Sequence, residues 1–208
     1  MQNNNLRRAY FLGILIFFIS ILTVLFSYFI SIKYNLVSIC FPNFEGCTSI
    51  SRAGRYPPAV YIFKPGMMLV AFMILFFFYF LKDTKKAFSF SFFFSIIAFI
   101  FFFLYIYFLG EGSIYRFFRK VGIFIYIANL LIAFLFLGYE YKNKIKNIFI
   151  KLCIISNVLL ILVAILLLPF IYKTSGEFSA LKNAISWNFF LIVKINFLLF
   201  ALSIKKAL

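Results

Sequence analysis

Residues 9–32 read AYFLGILIFFISILTVLFSYFISI, an uncharged run of apolar and small hydroxyl residues with Arg7 and Arg8 before it and Lys33 after it. A helix rises about 1.5 Å per residue, so roughly 20 residues cross the roughly 30 Å of hydrocarbon in a bilayer. The run is long enough to span, too long for the core of a signal peptide, and without a small-residue cleavage site. It therefore reads as a retained first span.

Outward from this run the pattern repeats. Further apolar stretches at 65–81, 87–110, 121–139, 152–172 and 184–204 bring the candidate spans to six. They predict an all-α polytopic membrane protein: a single six-helix transmembrane domain over 1–208, with an outer loop at 33–64. The second stretch is short unless Tyr61 to Lys64 dips into the interface, and Pro65 suits the first turn of that span, where a missing N–H is harmless. Residues 111–120 read as a charged loop ahead of the fourth span.

Composition supports a bilayer as the solvent. The chain is 65% hydrophobic and 12% charged, more apolar than a water-soluble core of this size could hide. The 35 Phe and 13 Tyr, with His absent, belong to a bias towards Phe, Ile, Lys and Asn that genome base composition alone can produce. The abundance of Phe thus carries no functional meaning by itself.

A net charge of +16, from 21 Lys and Arg against 5 acids, would suggest nucleic acid in a soluble protein. Here the basic residues sit in short clusters between spans, where they orient the chain and meet anionic headgroups, and no nucleic-acid partner is expected. With the N-terminus inside, eleven Lys and Arg fall on the cytoplasmic side and nine on the other, Lys194 lying within the last span. The short, Lys-dense connections at 82–86 and 142–151 weigh most in the positive-inside rule. Both termini are accordingly expected in the cytoplasm. A plasma membrane or bacterial inner membrane is the favoured setting.

Without His, neither a Ser-His-Asp nor a Cys-His machinery can be built, and His-containing metal sites are excluded. No carboxylate pair lies within a span, so no catalytic residue, metal or cofactor is expected. Cys40 and Cys47 share the outer loop; if that loop is extracytoplasmic they form either a disulfide or two free thiols. Cys153, inside a span, reads as a small packing residue.

The outer loop carries most of the turn chemistry, with Pro42, Gly46, Gly54, Pro57 and Pro58. Gly54 permits a turn and the two prolines favour extended backbone, so Ser51, Arg52, Arg55 and Tyr56 are expected on a stiff segment at the membrane surface. Two guanidinium groups there suit a phosphate such as a lipid headgroup offers; pairing with Glu45 and Glu111 is the plainer role. Arg116 and Arg119 could complete such a site or belong to a solvated loop.

Residues 51–63, Ser-Arg-Ala-Gly-Arg-Tyr-Pro-Pro-Ala-Val-Tyr-Ile-Phe, resemble the Ser-Asp-x-Gly-x-x-Pro-Pro-Glu-x-x-Ile-Phe segment between the first two helices of the Frag/DRAM/Sfk family of six-span membrane proteins. Ser179-Ala180 through Ser186-Trp187 is similar to that family's Ser-Ala-x-x-Glu-Trp approach to its last helix. Arg52, Ala59 and Ser186 stand where the family tends to carry acids, so any role resting on those carboxylates is in doubt. The resemblance implies involvement with membrane lipids: remodelling of lipid-anchored proteins, phosphoinositide-linked membrane organisation, or autophagy-related roles.

Lys194 falls near the middle of the sixth span. A charge at that depth costs about 2.5–3.5 kcal/mol on insertion scales and usually faces a bundle interior. Asn129, Asn157 or Asn196 could be its partner, as could a backbone carbonyl, water or a lipid phosphate; a neutral lysine or a shifted helix is the plainer alternative. Trp187 reads as an interfacial anchor. The leading expectation is a non-catalytic protein that binds an anionic headgroup at the outer-loop motif. A structural subunit of a larger membrane complex, with other subunits as partners, and a small transporter using Lys194 are the alternatives.

Overall fold

The computed structural model describes residues 2–82, 89–110, 112–141, 147–172 and 178–205, and its regular structure among them is entirely helical. Six long helices, α1 (Gln2–Lys33), α4 (Val60–Leu81), α5 (Phe90–Tyr107), α6 (Ser113–Tyr141), α7 (Ile148–Tyr172) and α8 (Phe178–Lys205), are each long and apolar enough to span. Two single-turn helices, α2 (Pro42–Glu45) and α3 (Ile50–Ala53), lie in the first loop. The expected all-α, six-span architecture is what forms.

Each long helix packs against the next in sequence, except that α1 passes over the loop to α4, and α8 returns to α1. The result is a closed ring. An early residue of α1, Gly13, lies against Ala201 near the end of α8, so these helices are antiparallel and both chain ends share one face, here the terminal face. The opposite, loop face carries α2 and α3.

Close crossings set the ring. In a bilayer there is no hydrophobic drive between helices, so small residues that let backbones approach are favoured. A Cβ on Gly13 would lie 2.8 Å from Ala201 Cβ, one on Gly66 2.6 Å from Thr23, and one on Gly122 3.1 Å from the Phe101 carbonyl oxygen. These contacts join α1 to α8, α1 to α4 and α5 to α6.

Two helix starts differ from the sequence expectation. The second span begins at Val60 and not at Pro65, because a turn through Tyr56–Ala59 feeds directly into helix, with Val60 N–H donating to the Tyr56 carbonyl (3.0 Å) and Phe63 N–H to that of Ala59 (2.9 Å). Pro65 therefore lies inside α4, where its missing N–H leaves the Tyr61 carbonyl without its helical donor. The fourth span begins at Ser113, so Arg116, Arg119 and Lys120 ride on helix. Charge does not stop a helix; Gly112, at φ 106°, marks the break, and residues 87–88 and Glu111 lie outside the described residues.

Gly66→Val tests the crossings. Its branched side chain must displace Thr23, and overpacking of this kind costs about 1–3 kcal/mol. A lower thermal midpoint in detergent is expected, while the protein stays in the membrane pellet after alkaline carbonate extraction.

Candidate functional site

The first loop is bound down at both ends. From α1, the Tyr28 hydroxyl donates to the Cys40 carbonyl (2.7 Å) and Ser31 Oγ to that of Ala53 (2.6 Å). From α8, Trp187 Nε1–H donates to the Thr48 carbonyl (2.9 Å), Asn183 to that of Gly46 (2.9 Å) and Asn188 to that of Asn43 (2.9 Å). Cys40 and Cys47 are disulfide-bonded, their Cα atoms 6.5 Å apart, and the closed segment contains α2. Trp187 is only 5% exposed and packs edge-on against Tyr28. It is a buried pin on the loop, in place of the interfacial anchor expected from its position.

Local geometry within the loop also departs from expectation. Ser49 Oγ accepts from the Arg52 N–H (3.2 Å) and lies 3.3 Å from Ser51 Oγ, capping α3. Gly54 has an ordinary φ of −103°; a side chain there is barred by space, since a Cβ would collide with the Phe63 ring. The segment through Pro57 and Pro58 turns, where extended backbone was expected.

The two loop arginines have different surroundings. Arg52 is exposed and lines a depression of about 250 Å³ with Asn35, Ser38 and Thr48 among its walls. Arg55 is half-buried beside the Tyr56 ring (5.8 Å), and among the described residues its Nε–H is buried without a hydrogen-bond partner. Glu45 is taken up locally, its Oε1 accepting from Phe41 N–H (3.0 Å).

Arg55 instead joins residues of α6. Arg119 is within electrostatic reach of Arg55, Arg116, Tyr56 and Tyr105, and its Nη1 donates to the Gly110 carbonyl (2.9 Å). Lys120 and Lys182 form a second adjacent pair of cations. The loop face thus concentrates positive charge around the start of α6, whose own N-terminus adds to it.

Below this face lies Lys194, 1% exposed. Its Nζ is 3.4 Å from the Tyr126 hydroxyl and 5.5–6.0 Å from the ring centres of Phe190, Phe197 and Phe102. Asn129 and Asn157 are turned to their own helices, donating to the carbonyls of Ile125 (2.8 Å) and Cys153 (2.7 Å). Asn196 is buried with neither amide atom hydrogen-bonded among the described residues, and Tyr126, three residues before Asn129, holds the place for which these asparagines were among the candidates. Depth in the span marks Lys194 in the sequence; nothing comparable marks Tyr126 or Tyr105.

No protein-family model, curated protein or solved structure matches this chain.

Gly46→Ala tests the loop clamp. At φ 62°, a Cβ would collide with the Ala180 carbonyl of α8, so the loop must lift from α8. Faster proteolysis within residues 41–59 in proteoliposomes is expected, with the spans protected.

Proposed function

We propose that this multi-pass membrane protein binds an anionic lipid headgroup, without catalysis, at the loop face around Arg55, Arg116 and Arg119. The observation that carries the reading is the gathering of Arg55 and Arg119, from separate elements, within electrostatic reach of each other. Like charges brought together in a folded chain destabilise it unless an anion shares them. Planar guanidinium groups suit phosphate oxygens, and the Arg55 Nε–H, without a hydrogen-bond partner among the described residues, is one such donor. Arg52, at the neighbouring depression, would meet the surrounding lipid surface. Ser51, Gly54, Pro57 and Pro58 act by shaping the segment that carries the arginines, and Tyr56 by flanking Arg55.

The resemblance to the Frag/DRAM/Sfk segment supports a lipid-linked role of this kind. The distribution of Lys and Arg supports cytoplasmic termini, and the Cys40–Cys47 bond suits a loop face in an oxidising compartment. A reporter fused after Leu208 should be active only when its folding or chemistry needs the cytoplasm.

Lipid retained through gentle purification checks the binding. Arg55→Ala with Arg119→Ala should lower the copurified anionic lipid, read by mass spectrometry, by about tenfold, equivalent to about 1.4 kcal/mol for the two arginines together. Unchanged lipid content would discard the headgroup reading.

A further inference from the structure

We propose that the loop-face site extends inward to Lys194, so that the counter-charge of this ammonium group is a phosphate or carboxylate admitted from the loop face past Tyr105 and Tyr126. The inference rests on the headgroup reading for the side of entry only.

The order of the groups comes from the helices. Arg119 and Tyr126 are seven residues apart on α6, two turns and about 10 Å along one face. Between them lies Gly122, where a Cβ would be 3.2 Å from Tyr105 Cβ, so Tyr105 sits at an intermediate depth. Tyr105 is within electrostatic reach of Arg119 and Arg55 above it and of Tyr126 below. The Tyr105 and Phe102 rings stack at 6.0 Å, and those of Phe102 and Tyr126 at 4.2 Å. Lys194 ends this series of groups.

The ammonium group has three N–H donors and no acceptor lone pair. Its hydrogen bond to Tyr126 is long at 3.4 Å, and three phenyl faces supply only weak cation–π attraction. Among the described residues, Tyr126 and Tyr105 stand on its outward side, with Arg119 and Arg55 beyond them. The acids among the described residues, Glu45 in the loop and Glu140 at the far end of α6, are at other depths. A buried charge left without a counter-charge is costly, and the cations above it repel protons and metal ions while attracting anions. Inward, Phe197 closes on Phe134 (4.7 Å) and Phe77 (5.2 Å), which makes the site blind-ended.

Trp187, the single tryptophan, lies on α8 and reports unfolding of the full chain by its emission. Thermal midpoints are compared in nanodiscs of phosphatidylcholine with and without phosphatidate, and in neutral detergent with sodium phosphate against sodium chloride at matched ionic strength. A rise of about 2–4 °C is expected with phosphatidate, with phosphate, or with both; the first alone identifies a lipid headgroup, and a rise with phosphate a soluble anion. Lys194→Met should abolish the rise and Tyr126→Phe at least halve it. Methionine fills similar space without charge, so folding is expected to survive; should it not, Tyr126→Phe decides. A rise insensitive to Arg55→Ala with Arg119→Ala but lost in Lys194→Met removes the rim reading and leaves the inner site standing. No rise with either probe, or one that persists undiminished in Lys194→Met and Tyr126→Phe, overturns the inner site.

Discussion

Helices packed neighbour to neighbour at about 8–10 Å and closed into a ring of six surround an axis that no backbone occupies. Lipid is as apolar as any side chain, so no hydrophobic force draws the helices inward to close it. Only side chains can fill the gap, and they must be large. On the terminal half of the axis they are phenylalanines: Phe77 and Phe78 from α4, Phe134 from α6, Phe197 and Phe200 from α8, all buried with rings about each other. Aromatic rings in edge-to-face contact add about 0.5–1.5 kcal/mol per pair beyond simple burial. These few phenylalanines have a packing role that composition does not disclose, while many others, Phe18, Phe29 and Phe117 among them, are exposed on the outside of the bundle.

The same geometry explains the glycines. If the axis is held open by rings, the contacts between neighbouring helices must carry the rest of the packing, and Gly13, Gly66 and Gly122 stand where an added Cβ would crowd the neighbouring helix. Their lack of a side chain matters for distance, since all three have helical backbone. Gly46 differs, for its φ of 62° and the Ala180 carbonyl against it exclude a side chain twice over.

Hydropathy made the six spans readable because the solvent imposes a length and every residue within it is subject to the same condition. Span ends were less readable. Arg116, Arg119 and Lys120 suggested a loop by their charge, yet their backbone bonds run on as helix, and long basic side chains can reach a headgroup from a helical turn. In the loop, Gly54, Pro57 and Pro58 pointed to a structured segment but not to its turn, and the partners of Asn43, Gly46 and Thr48 lie more than a hundred residues away on α8, at Asn188, Asn183 and Trp187. No local pattern encodes such pairings. Lys194 was conspicuous by depth alone. Its neighbour Tyr126 was not, because a tyrosine in an aromatic-rich span looks like any other packing residue.

Phe197 unites the two halves of the axis. Its ring packs into the aromatic group towards the terminal face and also lies 5.7 Å from the Lys194 ammonium. A Leu or Ile there would be smaller, would lose the ring contacts, and has no quadrupole to offer the charge. One side chain therefore seals the ring below and helps to hold a cation above, and the sealing gives the cation its direction: with the terminal side closed by rings, any counter-ion must come from the loop face. A conduit would need Phe77, Phe134 and Phe197 to part together, against the ring contacts that define the bundle. The proposed inner site would need only a local opening between Tyr105 and Tyr126, which is why holding an anion is proposed over passing one.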